Sequence, residues 1–428
     1  MAGPAGPFLW RGYISRAGFF LEEKDMKRYL IVGNGAAGNA AGETIRRIDP
    51  DGRIAIFSKG KHDFYYVPAL PDYLSGEKQI RDFTIRNQAW YERNRIEVYR
   101  ETEITEIHAG EQTAVSSDGN RYPYDELLLA CGGYSFIPPI PGVQSPGVFA
   151  LRTIADADRI KDRAGQSKKA VVIGGGLLGL EAGNGLRKMG LTVSVVEFFP
   201  RLLPRQMDVP GAAILQKQME GMGFRFHLGA KTQKIEAAGS GLAVSLEGGE
   251  ALAADLVLVS AGVRPEVSLK KFLDLQIDKA VKVDDTMRTG LKGIYAAGDL
   301  VEHRGRYYGI WPAAMEQGRV AGANMAGKET AYPGTVPSNT LKVAGIDLVA
   351  AGEIDGEGKM EALVTRDEAG KAYRKLVLQG NAIIGAILLG DIRGSEEIQK
   401  TIKGKRDISA LKDELRRPDF DFSRLKEG

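Results

Sequence analysis

The sequence predicts an α/β chain in which one strand–turn–helix module is used twice and a smaller α+β domain follows. Three observations carry that expectation. The apolar run Leu30-Ile31-Val32 ends in Gly33-Asn34-Gly35-Ala36-Ala37-Gly38. A second run, Ala170-Val171-Val172-Ile173, ends in Gly174-Gly175-Gly176-Leu177-Leu178-Gly179, so the same pattern recurs. Glycine supplies 54 of 428 residues, against about 7% in ordinary usage, and no Gly-X-Y period accompanies it. Close backbone approach is therefore needed repeatedly.

At about 150 residues per domain, the length of 428 residues suits three domains. Residues 1–27 hold short apolar islands, Phe8-Leu9-Trp10 and Phe19-Phe20-Leu21, split by arginine and glycine. No h-region of a signal peptide is present, so this stretch reads as an N-terminal extension, with Met26 as an alternative start. The first module then runs as strand Leu30–Val32, helix to about Arg47 and strand Ile54–Phe57. Residues 61–100 are polar and aromatic, broken by Pro68, Pro71 and Gly76, with a strand near Ile96–Tyr99. Alternating strands follow over 102–116, and the buried-type run Leu127–Ala130 ends in Cys131-Gly132-Gly133.

Pro138, Pro139, Pro141 and Pro146 mark a crossover, with a domain boundary near 145. The second module repeats the order: strand, glycine turn, helix to about Met189, strand Thr192–Val196, and the run Leu256–Val259 ending in Ser260-Ala261-Gly262. Another strand, from Ile294, runs into Gly298-Asp299. From about 336 the texture changes to strands such as Asp347–Gly352 and Tyr373–Gln379, and a charged tail closes the chain. The apolar thread of that tail, Ile402, Ile408, Leu411, Leu415, Phe420, Phe422 and Leu425, fits an amphipathic packing helix or a docking face for a partner.

Composition removes several classes of function. Lys plus Arg is 58 and Asp plus Glu 55, and a net charge of +3 offers no surface for neutralising nucleic-acid phosphates. A single cysteine, Cys131, rules out an intrachain disulfide, a CxxC pair and a cysteine-held cluster on this chain alone. His62, His108, His227 and His303 show no zinc spacing, so no metal is expected. No apolar run approaches the length that spans a bilayer.

A Gly-x-Gly-x-x-Gly between strand and helix lets backbone approach a pyrophosphate while the helix end offers N–H groups and positive dipole. Gly33, Gly35 and Gly38 fit this, as do Gly174, Gly176 and Gly179. One match is a weak signal; two in the same context, with the Gly298-Asp299 turn, predict dinucleotide binding. Glu197 ends the second strand of the second module, where a carboxylate accepts from ribose hydroxyls and repels a 2′-phosphate. NADH is favoured over NADPH, with Arg201 and Arg205 close enough to keep NADPH as the minor alternative.

Both glycine turns, the Gly-Asp turn and Trp311-Pro312-Ala313-Ala314-Met315-Glu316-Gln317-Gly318 together resemble the FAD-dependent pyridine nucleotide-disulfide oxidoreductase superfamily over about 28–428. Within it the chain is most similar to the branch of NADH:rubredoxin and ferredoxin reductases, NADH oxidases and the flavin portion of NADH nitrite reductase. The resemblance implies two Rossmann-like domains, one for FAD (28–145 and 265–335) and one for NAD(H) (146–264), then a C-terminal α+β interface domain (336–428). It sets Gly33, Gly35, Ala36, Ala37 and Gly38 at the FAD pyrophosphate and Asp299 at the ribityl or phosphate portion. Pro68, Cys131 and Gly132 line the same cofactor, and the helix beginning at Trp311, Pro312 and Ala313 lies under the flavin. Gly174, Gly176, Leu177, Leu178 and Gly179 hold the NADH pyrophosphate, Glu181 and Gly262 stand near the nicotinamide, and Glu181 and Trp311 are the catalytic candidates.

Three departures from the family pattern stand out. The first module reads Phe57-Ser58-Lys59 where an acidic residue usually meets the FAD ribose, leaving Ser58 and Lys59 as the contacts there. The segment Phe64-Tyr65-Tyr66-Val67-Pro68-Ala69-Leu70 has no thiol against the flavin, which disfavours disulfide, persulfide and cysteine-dependent peroxide chemistry. Val67 stands where electron-transfer relatives often carry Lys or Arg. Cys131 itself reads as a packed thiol, and His62 and His303 as hydrogen-bonded rather than proton-transferring. Tyr65, Tyr66, Tyr307, Tyr308 and Trp311 are open to either pocket-wall or core roles.

The resulting expectation is a cytoplasmic flavoenzyme passing electrons between NADH and an iron–sulfur or rubredoxin-type protein, alone, as an oligomer, or as the NAD-linked flavin subunit of a larger complex. An NADH oxidase reducing oxygen and an NADH-responsive interaction protein of the apoptosis-inducing-factor type are the alternatives. Neither nucleic acid nor membrane is an expected partner.

Overall fold

The computed structural model describes residues 26–367 and 371–426. The N-terminal extension therefore lies outside the described residues up to Asp25. The described chain divides into two compact units: one takes in the described residues up to Tyr66 with Ile80–Tyr134 and Val263–Thr335, the other Val67–Gln79, Ser135–Gly262 and the described residues from Val336 on.

The first unit is built on a five-stranded parallel sheet in the order Ile294–Ala296, Glu126–Leu129, Arg28–Val32, Arg53–Phe57, Ile96–Tyr99. Its strands are short and rich in Leu, Ile and Val because both faces are covered. Leu30, Ile31, Ile54, Ile56, Leu127 and Leu128 are all buried at 1% exposure or less. Helices Ala36–Ile48 and Trp311–Met325 meet through small residues: a Cβ on Gly318 would stand 2.2 Å from the Ala37 carbonyl oxygen, and one on Gly322 2.5 Å from that of Ala41. That approach is open only to glycine.

The second unit repeats the plan, with parallel strands in the order Val148–Phe149, Leu256–Val259, Lys169–Ile173, Thr192–Glu197, Arg225–Leu228. Helices Ile154–Ala164 and Val209–Gly221, which periodicity in the sequence leaves unmarked, start at side-chain caps. Thr153 and Asp156 form a reciprocal capping box, and Asp208 accepts from Gly211 N–H at 3.0 Å. The unit also contains an antiparallel sheet, Ser338–Val343, Ile346–Gly352, Ala382–Leu389, Tyr373–Gln379, Ala362–Arg366.

Sequence pattern fails in two places. Residues 67–79 leave the first unit and belong to the second, where helix Leu70–Ser75 packs against Ile154–Ala164 and Leu177–Lys188. The tail is not one helix: Ser395–Gly404 stops at Lys405, which is left-handed at φ 48°, and single turns follow at Ser409–Leu411, Glu414–Arg416 and Phe422–Lys426. Its apolar thread is spent on its own sheet: Ile402, Ile408, Leu415, Phe420, Phe422 and Leu425 are buried against Leu376 and Ile383. The docking-face alternative for these side chains is thereby corrected. Among the described residues no helix is long and apolar enough to cross a membrane.

Candidate functional site: two glycine cradles

The two glycine turns are the same object built twice. Gly33 has φ +123° and Gly174 φ +119°. A Cβ on Gly33 would meet the Ala130 carbonyl oxygen at 2.1 Å; on Gly174 it would meet that of Ser260 at 2.2 Å. Gly38 is closed off by the Gly33 oxygen at 2.0 Å, and Gly179 by the Gly174 oxygen at 2.1 Å. These four glycines answer to backbone conformation and packing. The middle ones do not: Gly35 and Gly176 have ordinary φ values of −93° and −77°, and a Cβ on either would have nothing within 4 Å. Each caps a helix with no capping side chain and no acid in its first turn. The first-turn N–H groups of Ala36 and Ala37, and of Leu177 and Leu178, thus border open space beside a positive helix end. That is the cradle a pyrophosphate fills.

Around the first cradle, Cys131 N lies 3.2 Å from the Cβ position of Gly33, and Gly132 turns the chain at φ +72°. Gly298 is left-handed at φ +86°, a Cβ on it would stand 3.1 Å from the Ala37 methyl, and its N–H donates to Gln317 at 2.9 Å, which brings Asp299 to the same end of the sheet. Asn34, Asn39 and Tyr91 form a hydrogen-bonded cluster under the turn: Asn39 Nδ2 donates to Asn34 Oδ1 at 2.9 Å, and the single Tyr91 hydroxyl proton is shared between Asn39 Oδ1 at 2.8 Å and Asn34 Oδ1 at 3.0 Å. Asn34 Nδ2 is left buried with no acceptor among the described residues, a donor that a phosphate oxygen would satisfy. Sequence motifs do not reach Tyr91, because the chain brings it in from 52 residues beyond Asn39.

Trp311 and Pro312 open the helix Trp311–Met325, again without a capping side chain, and Ala313 follows in its first turn. The indole stacks on Phe64 at 5.5 Å and 2°, and Tyr66, 42% exposed, meets it edge-on at 5.0 Å. Pro68 lies in the turn Val67–Ala69 that leads into helix Leu70–Ser75, in the second unit.

Register aligns the two positions that the sequence reads as ribose contacts. Gly33 N–H donates to the Phe57 carbonyl at 2.9 Å and Gly174 N–H to that of Val196 at 2.8 Å, so Ser58 and Glu197 are equivalent positions. Glu197 is buried at 7% exposure, and its two oxygens accept from Gly175 N–H at 2.6 Å and Phe199 N–H at 2.8 Å. A carboxylate has lone pairs left for ribose hydroxyls after those bonds. Ser58 instead donates to Gly60 at 3.1 Å, and Lys59 pairs with Glu103 at the surface. Arg201 is engaged within the protein: it donates to the carbonyls of Met207 and Pro204, both at 3.3 Å, and reaches Glu357 at 3.4 Å. Arg205 is exposed. Gly262 is left-handed at φ +104° and exposed at the end of Leu256–Val259.

Glu181 lies one turn inside the second glycine helix. Burial first, and then the charge of Asp72, push its carboxyl up to about 8. Cys131 is pushed up to about 12 by burial and then by Glu266, so its thiolate is scarce at neutral pH. Iodoacetamide at pH 7.5 is expected to label Cys131 at least about a hundredfold more slowly than free cysteine; labelling at the free rate, followed by mass spectrometry, would contradict a packed thiol. His303 is 1% exposed and bonded through Nε2 to Asp285 at 2.9 Å.

A chain with two parallel sheets of matching order, each ending in an open glycine cradle, is a two-nucleotide α/β protein. It belongs to the pyridine nucleotide-disulphide oxidoreductase family, whose model matches residues 27–318, and residues 337–406 match the rubredoxin NAD+ reductase C-terminal domain. It is 37% identical to a nitrite reductase [NAD(P)H] of Bacillus subtilis over 90% of this chain and 48% of that protein. It is 32% identical to the epsilon subunit of an NADH-dependent phenylglyoxylate dehydrogenase of Aromatoleum evansii, over 84% of this chain and 87% of that one. A ferredoxin reductase structure from Rhodopseudomonas palustris superposes with a TM-score of 0.85 at 25% identity, covering 93% and 99% of the two chains. The chain spans about half the length of the first curated relatives it matches. FAD and NAD(H) are the cofactors of the family, and the residues present fit them: two empty-sided middle glycines, an orphaned Asn34 amide and one anchored carboxylate at the end of its strand.

Proposed function

We propose that this chain takes electrons from NADH onto FAD and passes them to an iron–sulfur or rubredoxin-type protein, as a free reductase or as the NAD-linked flavin subunit of a larger complex. The observation that carries the reading is the doubled cradle, open only at its middle glycines. In this reading the FAD module is 28–145 with 265–335, except that 67–79 belong to the second unit, the NAD(H) module is 146–264 and the interface domain 336–428.

FAD supplies the step the side chains cannot, accepting a hydride and releasing electrons singly. The chain's own residues bind and orient. Ala36, Ala37 and Gly38 N–H groups hold one pyrophosphate, with Asp299, Gly132 and Cys131 along the cofactor and Ser58 and Lys59 at its ribose. Leu177, Leu178 and Gly179 N–H groups hold the other, and Glu197 accepts from the ribose hydroxyls of NADH. The uncapped helix end at Pro312 and Ala313 favours negative charge on the reduced ring. Trp311, stacked on Phe64 and met by exposed Tyr66, offers an aromatic face toward an acceptor. The segment 64–70 has no thiol, which leaves electron transfer to a separate partner rather than to a side chain. A family relative that is a subunit of an NADH-dependent dehydrogenase, and a neighbour that is a ferredoxin reductase, support that outlet. A cytoplasmic setting fits an NADH-linked chain with a lone cysteine.

Anaerobic mixing with NADH and with NADPH, followed at the flavin absorbance, tests the first half. Bleaching at least about tenfold faster with NADH is expected from an anchored Glu197 and an inward Arg201; equal rates would refute the ribose argument. Rapid reduction of added rubredoxin or ferredoxin, with slow oxygen uptake, tests the second half. Fast oxygen uptake with no protein acceptor would favour the oxidase reading.

A further inference from the structure

Between Glu197 and Asp208 the chain makes a loop that touches the glycine cradle at one end and a buried ion cluster at the other. At the cradle end, Leu203 N–H donates to the Gly175 carbonyl at 3.1 Å, while Gly175 N–H donates to Glu197. Leu202, Leu203 and Met207 are fully buried, and Leu203 is left-handed at φ 48°, a conformation that persists only where its surroundings enforce it. Met207 N–H returns to the Leu203 carbonyl at 2.9 Å, and Arg201 ties the loop to itself and to Glu357.

At the other end Asp208, 4% exposed, accepts from Tyr373 Oη at 2.6 Å and lies 3.4 Å from Lys375 Nζ. Lys375, 3% exposed, donates to the Asp355 carbonyl at 2.7 Å and lies 3.5 Å from its carboxylate. Asp355 is held in turn by Lys359 and Met360 N–H groups at 2.8 and 3.1 Å. Tyr373 and Lys375 belong to strand Tyr373–Gln379 of the antiparallel sheet. Burying a lysine and two aspartates is poor economy if stability alone is served, since apolar residues of the same shape often do better. What the cluster fixes is a position: the Asp208 carboxylate is both the anchor and the cap of helix Val209–Gly221.

We propose that Tyr373 and Lys375 are positioning residues for nucleotide recognition: through Asp208 they hold the 198–208 loop, and with it the Glu197 carboxylate and the Gly175 turn, in the geometry that accepts an unphosphorylated ribose. The C-terminal sheet is then part of the NADH specificity apparatus, acting through Asp208. The inference rests on the NADH reading above.

The test uses the FAD-loaded full chain in its oxidised form, titrated calorimetrically with NAD+ and with NADP+, probes that leave the flavin oxidised. Tyr373→Phe removes one hydroxyl, and Asp208→Asn keeps an oxygen for the helix cap while discharging the anchor. Both are expected to weaken NAD+ binding about tenfold, the scale of a lost hydrogen bond to a charged group, and to narrow the NAD+ over NADP+ preference. KM for NADH should rise with kcat little changed, a split that a general loss of stability would not produce. Lys375→Met should do the same; if it fails to fold, the other two variants still decide. Unchanged affinity and preference in well-folded Tyr373→Phe and Asp208→Asn would overturn the proposal. Failure of the unaltered protein to bind either nucleotide would instead overturn the reading beneath it.

Discussion

Replacing Gly176 by valine is expected to leave a folded, FAD-containing protein that NADH no longer reduces at a useful rate. Replacing Gly35 by valine is expected to give a folded protein without FAD. The argument is an asymmetry inside each turn. Gly33, Gly38, Gly174 and Gly179 have backbone oxygens within 2.2 Å of where a Cβ would go, so substitution there strikes the fold itself. Gly35 and Gly176 have nothing within 4 Å and φ values any residue adopts. A valine fits the apo chain but stands in the space a pyrophosphate takes and masks the first-turn N–H groups. Each charge-assisted hydrogen bond lost is worth about 1.5–3 kcal/mol, so two of them weaken binding by roughly 10²- to 10⁴-fold. Flavin absorbance of the purified protein, melting temperature of the apo form and NAD+ titration separate the outcomes. Retention of FAD in Gly35→Val with unchanged affinity would mean that the first cradle holds something else, or nothing.

Much of this was legible in the residues because the physics is local. A short β-branched run, a glycine with forced positive φ and a helix must be adjacent in sequence to make a cradle, so both were readable from Gly33–Gly38 and Gly174–Gly179. Glu197 was readable for the same reason, as the last residue of the neighbouring strand. What could not be read were features made by chain segments meeting. Asn39 and Tyr91 stand 52 residues apart, and only folding places the phenol on the amide. Asp208 and Tyr373 are separated by 165 residues. The excursion of 67–79 into the second unit has no local mark either, since a helix of six residues carries little periodicity. The tail misleads for a different reason: its apolar spacing suits a helix, but left-handed Lys405 and the later Pro418 break it into turns that still bury the same side chains.

Replacing Glu181 by glutamine is expected to raise stability more and more as pH climbs from about 4.5 to about 8, then by a constant amount above that. The cause is the company the carboxyl keeps. On helix Leu177–Lys188, Glu181 shares a face with Gly185 one turn on. A Cβ on Gly185 would stand 3.0 Å from the Pro71 carbonyl oxygen and 3.6 Å from Leu74, so helix Leu70–Ser75 lies against that face and carries Asp72 with it. Lys78 pairs with Asp72 at 2.6 Å, yet burial and the Asp72 charge still push Glu181 up to about 8. Between its ordinary value and about 8 the folded chain binds a proton that the unfolded chain has released, and stability therefore falls with rising pH across that window. Glutamine does not titrate, so the difference between variant and wild type in thermal melts at pH 5, 7 and 9 follows the missing proton; a constant offset would show that Glu181 ionises normally. With Glu181 near the nicotinamide, as the family resemblance implies, the same titration acts on the chemistry. The ring gains positive charge as hydride leaves, and a carboxylate beside it favours that charge where a neutral carboxyl does not. Flavin reduction by NADH should then quicken about tenfold as pH rises through the titration, and Glu181→Gln should hold the slow, low-pH rate throughout. Asp72→Asn, which removes the repelling charge, should shift the rise toward lower pH, since a like charge is part of what keeps the proton on Glu181.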